Sequence, residues 1–116
     1  MRFQSFCFLY TLIMKRIEII AKMLTESPED IFLNYALAME YLSENNLEKT
    51  IETFENIKIK DPNYLPVYYQ LAKCYESIQN NENAILNYEK GIEIAEKQNE
   101  KKTGLELKSA LEELIF

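Results

Sequence analysis

The sequence resembles itself when it is shifted by 34 residues. Residues 28–61 and 62–95 share ten identities under that shift, where a chain of this composition gives roughly two or three by chance. The first members of the identical pairs are Pro28, Tyr35, Leu37, Ala38, Tyr41, Ser43, Asn46, Glu48, Ile51 and Glu55. Two consecutive units of this length predict a repeat architecture, in which each unit buries its apolar face against a neighbour.

Each unit contains two segments with helical spacing of apolar residues. In the first unit these residues are Leu33, Leu37 and Tyr41, and then Ile51, Phe54 and Ile57. In the second they are Val67, Leu71, Tyr75 and Ile78, and then Ala84, Ile85, Tyr88 and Ile92. The polar stretches 44–46 and 79–81 predict the turns between the helices. Pro28 and Pro62 lie between units, and either Asp30 or Ser27 is expected to cap the helix that follows. With only 2 Gly and 3 Pro, the fold class predicted is all-α.

The repeated pattern resembles the tetratricopeptide repeat, whose period is also 34. The residues that carry the resemblance are Leu37, Ala38, Tyr41, Thr50 and Phe54, with their echo Leu71, Ala72, Tyr75, Ala84 and Tyr88. Asp61-Pro62 matches the turn between repeats. The resemblance implies that the small residues let helices approach closely while the aromatic residues fill the space between pairs. It implies antiparallel helical hairpins stacked as a short right-handed α-solenoid of about six helices.

Two positions depart from the family pattern. Asn34 stands where the family usually has a large aromatic residue, which Tyr68 restores in the second unit. Gly91 replaces the usual Ala. In addition, Ala95-Glu96 stands in place of the terminal Asp-Pro, so the last helix of the second unit is expected to run on.

The flanking segments are predicted to complete a single domain over residues 1–116. Residues 1–27 are expected to form an N-terminal helix or incomplete repeat, with Ile17, Ile20, Ala21 and Leu24 on one face. Residues 28–61 and 62–95 form the two repeats. In 96–116, a charged loop at 97–102 is expected to precede a capping helix over 103–116. That helix is expected to cover the last pair with Leu105, Leu107, Leu111, Leu114 and Ile115.

Residues 1–13 are apolar and aromatic and allow three interpretations. A signal or membrane anchor is disfavoured, because the apolar run is short for a bilayer and has no small-residue cleavage site. A helical extension is favoured by a continuous stripe that runs from Phe6 to Leu24 and predicts one helix over about residues 4–25. Alternatively, Met14 is the true start of the protein, which is compatible with a helical extension.

Composition argues against catalysis, metal binding and nucleic acid binding. There is no His and the net charge is −6, so the common general base and metal ligand is missing and phosphate backbones are repelled. Anionic membrane surfaces are disfavoured for the same reason. Cys7 and Cys74 are isolated and are expected to act as small buried hydrophobic residues. We therefore expect no enzyme, no cofactor and no metal, in a reducing, cytoplasmic setting.

By family register, certain positions on the first helix of each unit line the concave face. In the first unit they are Phe32, Tyr35, Met39 and Leu42, and in the second Pro66, Tyr69, Lys73 and Glu76. These residues predict a partly apolar groove with one positive charge. A related subclass grips chaperone tails with a Lys/Asn/Arg clamp, but Tyr35 and Met39 stand at the corresponding positions, so tail binding is not expected.

Two functions follow from the sequence. The first is an adaptor or scaffold whose groove binds a protein segment or peptide. The second is a self-associating structural module, in which the apolar N-terminal helix covers the groove or a neighbouring chain.

Overall fold

The computed structural model describes residues 16–116, which contain six α-helices and no β-strand. Residues 16–26 belong to α1. The other helices are α2 (Ile31–Ser43), α3 (Leu47–Lys60), α4 (Pro66–Ser77), α5 (Asn81–Lys97) and α6 (Lys101–Ile115). Successive helices from α2 onward pack against each other, which makes this all-α chain a helical repeat solenoid. The predictions for residues 1–13, and most of the predicted helix over 4–25, lie outside the described residues.

Side-chain caps start three of the helices. Asp30 accepts a hydrogen bond from the Leu33 backbone N–H at 3.0 Å, so Asp30 rather than Ser27 caps α2. Asn46 and Asn80, which are equivalent under the 34-residue shift, cap α3 and α5 in the same manner. α4 has no side-chain cap and begins instead with Pro66, whose missing N–H leaves one fewer donor to satisfy.

Three helix ends share one turn geometry. Asn45, Gln79 and Asn99 adopt left-handed backbone conformations, with φ of 60°, 61° and 57°. After each of them, the next N–H donates to a carbonyl five residues back, as in the Asn80 N–H to Tyr75 O bond of 2.8 Å. This is the Schellman motif, which satisfies the last carbonyls of a helix and turns the chain away from it.

The core lies along the seams between the helices. Its largest fully buried side chains include Tyr68, Tyr88, Phe54, Ile57 and Leu71. Gly91 permits the closest approach in the core, because an added Cβ atom there would meet Tyr68 Cβ at 3.0 Å and Leu107 Cδ1 at 3.1 Å. A larger residue at position 91 would push α4 and α6 away from α5.

The structure corrects three expectations about the second unit and the C-terminal region. The loop predicted at 97–102 is shorter, because α5 runs to Lys97 and α6 begins at Lys101. Leu105 and Ile115 are exposed, at 65% and 51%, and the face that α6 buries is formed by Gly104, Leu107 and Ala110. Ile78 follows the end of α4 and is also exposed.

Candidate functional site

The predicted packing residues lie along the seams between helices. The fully buried ones are Ala38, Thr50, Phe54, Leu71, Ala72, Ala84 and Tyr88, and the partly buried ones are Leu37, Tyr41 and Tyr75. Thr50 offsets the cost of burying its hydroxyl by donating a hydrogen bond to the Asn46 carbonyl at 2.7 Å.

The groove residues predicted on α2 are less accessible than the sequence suggested, with one exception. Tyr35 and Met39 are partly buried and pack against the core. The Tyr35 ring lies 5.4 Å from that of Phe54 in a tilted arrangement, and 5.8 Å from that of Tyr64 in edge-on geometry. Leu42 is also partly buried, whereas Phe32 is 74% exposed. Only Phe32 therefore presents most of its side chain to solvent.

Three of the four groove residues predicted on α4 form one connected cluster, and Pro66 at the start of the helix lies apart from it. The Lys73 ammonium lies 5.7 Å from the centre of the Tyr69 ring and 3.6 Å from the Glu76 carboxylate. Glu76 also accepts a hydrogen bond from the buried Tyr88 hydroxyl. Lys73 was predicted to offer a positive charge to a ligand, but that charge is already partnered by Glu76 and Tyr69.

A cleft of about 370 Å³ lies between α4 and α6, and it is called the α4–α6 cleft below. α4 contributes Tyr69 and Lys73, and α6 contributes Leu105, Glu106, Ser109, Ala110 and Glu113. Of the predicted groove residues, only Tyr69 and Lys73 line it. The α6 side was missed because Leu105 was assigned to the buried stripe. Leu105 is two residues before Leu107, which places it about 200° around the helix from Leu107. This spacing could have shown from the sequence that the two leucines lie on opposite faces of α6.

A second cleft, of about 570 Å³, lies on the other side of α4 between α3 and α5. The Tyr75 hydroxyl donates a hydrogen bond to Glu55 at 2.8 Å there. Lys58 donates to Glu55 and to the buried Asn87 at 3.2 Å each. Asn87 in turn donates to the Asn83 carbonyl at 2.8 Å. These polar groups satisfy one another, so their main effect is to join α3, α4 and α5.

The perturbed tyrosines are unsuited to acid–base chemistry near neutral pH. Burial, followed by the hydrogen bond to Glu55, raises the pKa of Tyr75 to about 12. Burial and the hydrogen bond to Glu76 raise the pKa of Tyr88 still further. Burial also raises the pKa of the free thiol of Cys74. All three groups keep their protons at neutral pH, and a protonated thiol is a poor nucleophile.

Residues 16–116 contain neither a cluster of metal ligands nor a helix that could span a membrane. No group of three or more Cys, Asp or Glu side chains in this range is placed to hold a metal ion. Each helix in the same range is too short or too polar to cross a bilayer. What this part of the chain offers is a set of partly apolar clefts between helices.

Comparison with known proteins identifies the family. Residues 65–98 match the tetratricopeptide repeat. The solution structure of a tetratricopeptide repeat domain protein from Salinibacter ruber is 38% identical, with a TM-score of 0.72, and the match covers 75% of this chain and 88% of that one. The chain belongs to the tetratricopeptide repeat family. No curated protein matches the sequence.

Other tetratricopeptide-like structures share the fold at low sequence identity. The complex of the TPR2B domain of yeast Sti1 with pHsp70 has a TM-score of 0.80 at 15% identity, covering 92% of this chain and 86% of that one. PcrH in complex with the chaperone binding region of PopD has a TM-score of 0.79 at 14% identity, covering 97% and 92%. At these identities the likeness shows the fold alone.

The departure from the tetratricopeptide pattern at Asn34 preserves a hydrogen bond. The Asn34 side-chain amide donates to the Pro28 carbonyl at 3.1 Å. In the second unit, the Tyr68 hydroxyl donates to the equivalent Pro62 carbonyl at 2.5 Å. Both side chains therefore tie the first helix of a unit to the turn before it, although Asn34 fills much less space.

Proposed function

We propose that this tetratricopeptide repeat protein is an adaptor that binds a segment of another protein on the face formed by α2, α4 and α6, without catalysis. The observation that carries the proposal is the α4–α6 cleft. Leu105 is 65% exposed and Tyr69 is 36% exposed along it. Exposed apolar and aromatic side chains that flank a cleft are typical of a binding surface, since Tyr buries a large area at low entropic cost.

Two of the structural neighbours support this proposal by analogy. Both the Sti1 domain and PcrH were solved in complexes, with pHsp70 and with a region of PopD respectively. The proposed groove consists of Phe32, Tyr35, Met39, Leu42, Tyr69, Lys73 and Glu76, extended by Leu105 on α6. A cytoplasmic location is part of the proposal, because the free, buried Cys74 suits a reducing compartment.

The test replaces apolar surface in the cleft and compares it with apolar surface elsewhere. The cleft variant is Tyr69→Ala/Leu105→Ser. The matched control is Ile59→Ser/Leu86→Ser on α3 and α5, where the two side chains are 75% and 55% exposed. Each is used as bait in native cells, with mass spectrometry as the readout and circular dichroism as the check on folding. We expect the cleft variant to lose partners that the control retains. Equal recovery by both baits would exclude the cleft.

Self-association is the second candidate function. The observation that favours it is exposed apolar surface at both ends of the described chain. Ile19 and Met23 on α1 are 54% and 50% exposed, and Ile115 and Phe116 are 51% and 99% exposed. Surface of this kind can be covered by a second copy. Light scattering over a range of protein concentrations tests the idea, and a strict monomer throughout would rule it out.

A further inference from the structure

The α4–α6 cleft carries an uneven distribution of charge. Its only cation, Lys73, is held by Glu76 and lies over Tyr69. The opposite wall contributes Glu106 and Glu113. Among residues 16–116, neither of these carboxylates has a basic side chain within ion-pair distance. The charge that the cleft presents to a ligand is therefore negative.

The α6 lysine beside the cleft residues is paired with a carboxylate on another helix. Lys108, the lysine of α6 nearest in sequence to the cleft residues, lies 3.6 Å from Glu96 on α5. It is outside the set of residues that line the α4–α6 cleft. Lys102, one turn before Glu106 on α6, is likewise not paired with it. A cation supplied by a ligand would therefore meet the two glutamates without displacing an existing ion pair.

Apolar surface lies beside the two carboxylates. Leu105 precedes Glu106, and Tyr69 faces them from α4. Ala110 is buried and forms part of the floor, while Ser109 is exposed. A ligand that fits this wall combines an apolar side chain, for contact with Leu105 and Tyr69, with flanking positive charges for Glu106 and Glu113.

The spacing of the glutamates limits the shape of such a ligand. Glu106 and Glu113 are seven residues apart, which is about two helical turns and about 10.5 Å along the axis of α6. A segment in the polyproline II conformation advances about 3.1 Å per residue, with three residues per turn. Two cations three residues apart in that segment lie on the same side and span about 9.3 Å, close to the glutamate spacing.

We propose that the α4–α6 cleft binds an extended segment of a partner protein that carries two Lys or Arg residues three apart, with an apolar residue between them. This inference rests on the proposed function and adds the chemistry of the partner. The net charge of −6 attracts any basic peptide at long range. Recognition at the cleft therefore has to be separated from that general attraction.

The probe is a pair of synthetic eight-residue peptides with blocked ends. One is Gly-Ser-Lys-Leu-Ser-Lys-Ser-Gly, and the other has Glu in place of both Lys residues. Each is titrated into the isotope-labelled full chain, and backbone amide signals are followed by NMR. We expect the lysine peptide to shift the signals of Tyr69, Leu105 and Ser109 in a saturable manner, and the glutamate peptide to leave them in place.

Charge-neutralising variants supply the decisive comparison. Glu106→Gln/Glu113→Gln is expected to weaken binding of the lysine peptide by about tenfold. The control Glu52→Gln/Glu89→Gln changes net charge equally on α3 and α5, where both carboxylates are exposed, and is expected to weaken binding by less than about twofold. The proposal is overturned by equal weakening in the two variants, by equal binding of the glutamate peptide, or by the absence of any saturable shift.

The same variants distinguish this inference from the proposed function. A native partner whose capture is abolished by Tyr69→Ala/Leu105→Ser but unchanged by Glu106→Gln/Glu113→Gln would leave the adaptor function standing and refute the basic-segment inference. Capture that neither cleft variant changes would refute both. If both cleft variants lose the partner and the two control variants, Ile59→Ser/Leu86→Ser and Glu52→Gln/Glu89→Gln, keep it, the adaptor function and the basic-segment inference are both supported.

Discussion

The two 34-residue units share one sequence pattern but bury it to different extents. In the first unit, α2 buries only Ala38. In the second, α4 buries Val67, Tyr68, Leu71, Ala72 and Cys74. α4 packs against both α3 and α5. Among the helices α3 to α6, the main packing partner of α2 is α3. Burial in this chain therefore depends on the place of a helix in the stack as much as on its own sequence.

The units also differ in residue size at two equivalent positions. The first combines the small Asn34 with the large, buried Ile57, and the second combines the large Tyr68 with Gly91. Both pairs are equivalent under the 34-residue shift. In the second unit the contact is tight, since a Cβ atom on Gly91 would lie 3.0 Å from Tyr68 Cβ. Small and large residues therefore exchange places at these two positions from one unit to the other.

The largest expected effect compares Leu71 with its equivalent, Leu37. Leu71 is fully buried and Leu37 is partly exposed. We expect Leu71→Ala to lower the free energy of unfolding by about 3 kcal/mol, because it leaves a cavity. Leu37→Ala should cost about 1 kcal/mol, because less apolar area is lost. Urea unfolding followed by circular dichroism measures both, and equal losses would contradict the difference between the units.

The next effect tests the reciprocal pair directly. Gly91→Ile should lower the free energy of unfolding by about 2 kcal/mol, because the new side chain clashes with Tyr68 and Leu107. Adding Tyr68→Asn recreates the residue types of Asn34 and Ile57: it keeps the Cβ atom at position 68, but it frees the volume of the ring for the outer carbons of the new isoleucine. In a double-mutant cycle, we expect a favourable coupling of about 1 kcal/mol or more.

The control for this cycle is Gly104→Ala. A Cβ atom there meets Ala95 Cβ at 3.5 Å, an ordinary contact. This variant should be neutral or stabilise by up to about 1 kcal/mol through helix propensity. If the double variant loses the sum of the unfolding free energies lost by Gly91→Ile and Tyr68→Asn singly, the smaller residue at position 68 does not compensate for the larger one at position 91.

A smaller effect, which depends on pH, separates Tyr75 from its equivalent Tyr41. The Tyr75 hydroxyl is bonded to Glu55, and its pKa rises from 10.0 to about 12 on folding. Because the folded pKa exceeds the unfolded one, this stabilisation is full below pH 10 and is lost as pH rises toward 12. Tyr75→Phe should cost about 1 kcal/mol at pH 8, and the cost should shrink above pH 10.

Tyr41→Phe serves as the comparison for that experiment. Within residues 16–116, the Tyr41 hydroxyl has no side-chain or backbone hydrogen bond like that of Tyr75. We expect its replacement to change the free energy of unfolding by a few tenths of a kcal/mol at most. Urea midpoints for wild type and both variants between pH 8 and pH 11 give the result. A cost for Tyr75→Phe that is constant across this range would refute the linkage.

The smallest effect concerns the turns at Asn45 and Gln79. Both residues have left-handed backbones, a conformation that Asn tolerates better than Gln. Gln79→Gly is expected to raise the free energy of unfolding by about 0.5 kcal/mol, and Asn45→Gly to leave it almost unchanged. Thermal unfolding of the two variants distinguishes them. Destabilisation by Gln79→Gly would show that the contacts of the Gln79 side chain stabilise the fold by more than its left-handed backbone conformation costs.

The helical hairpins and their turns could be predicted from the sequence because their signals are local. The breaks at 44–46 and 79–81, and Asp30 as a cap, follow from the preferences of short polar side chains. The predicted loop at 97–102 was wrong because Lys, Glu and Gln are good helix formers. The helix is interrupted there only around Asn99, whose left-handed conformation is not evident from composition.

The candidate site was predicted less completely than the fold. The repeat register shows on which face of a helix a residue lies, but it does not show which residues of other helices pack against it. Tyr35 and Tyr69 have the same register, yet the ring of Tyr64 also packs against Tyr35, whereas the residue 34 positions after Tyr64, which would stand in the same relation to Tyr69, is Gln98. The contribution of α6 was missed because Leu105 and Leu107, which lie about 200° apart around the helix, were assigned to one face. The packing of α6 against α5 shows that Leu107 is the covered one. The division at residues 27, 61 and 95 stays a prediction.

The repeated Schellman turns have a consequence for the order in which the chain folds. Each of them reverses or redirects the backbone within three residues while satisfying the helix-end carbonyls. Neighbouring helices are therefore joined by very short loops, and native contacts form between segments that are close in sequence. Such chains have low contact order and fold rapidly. We expect α4 and α5, which bury the most side chains, to pair early and to serve as the surface on which the flanking helices then assemble.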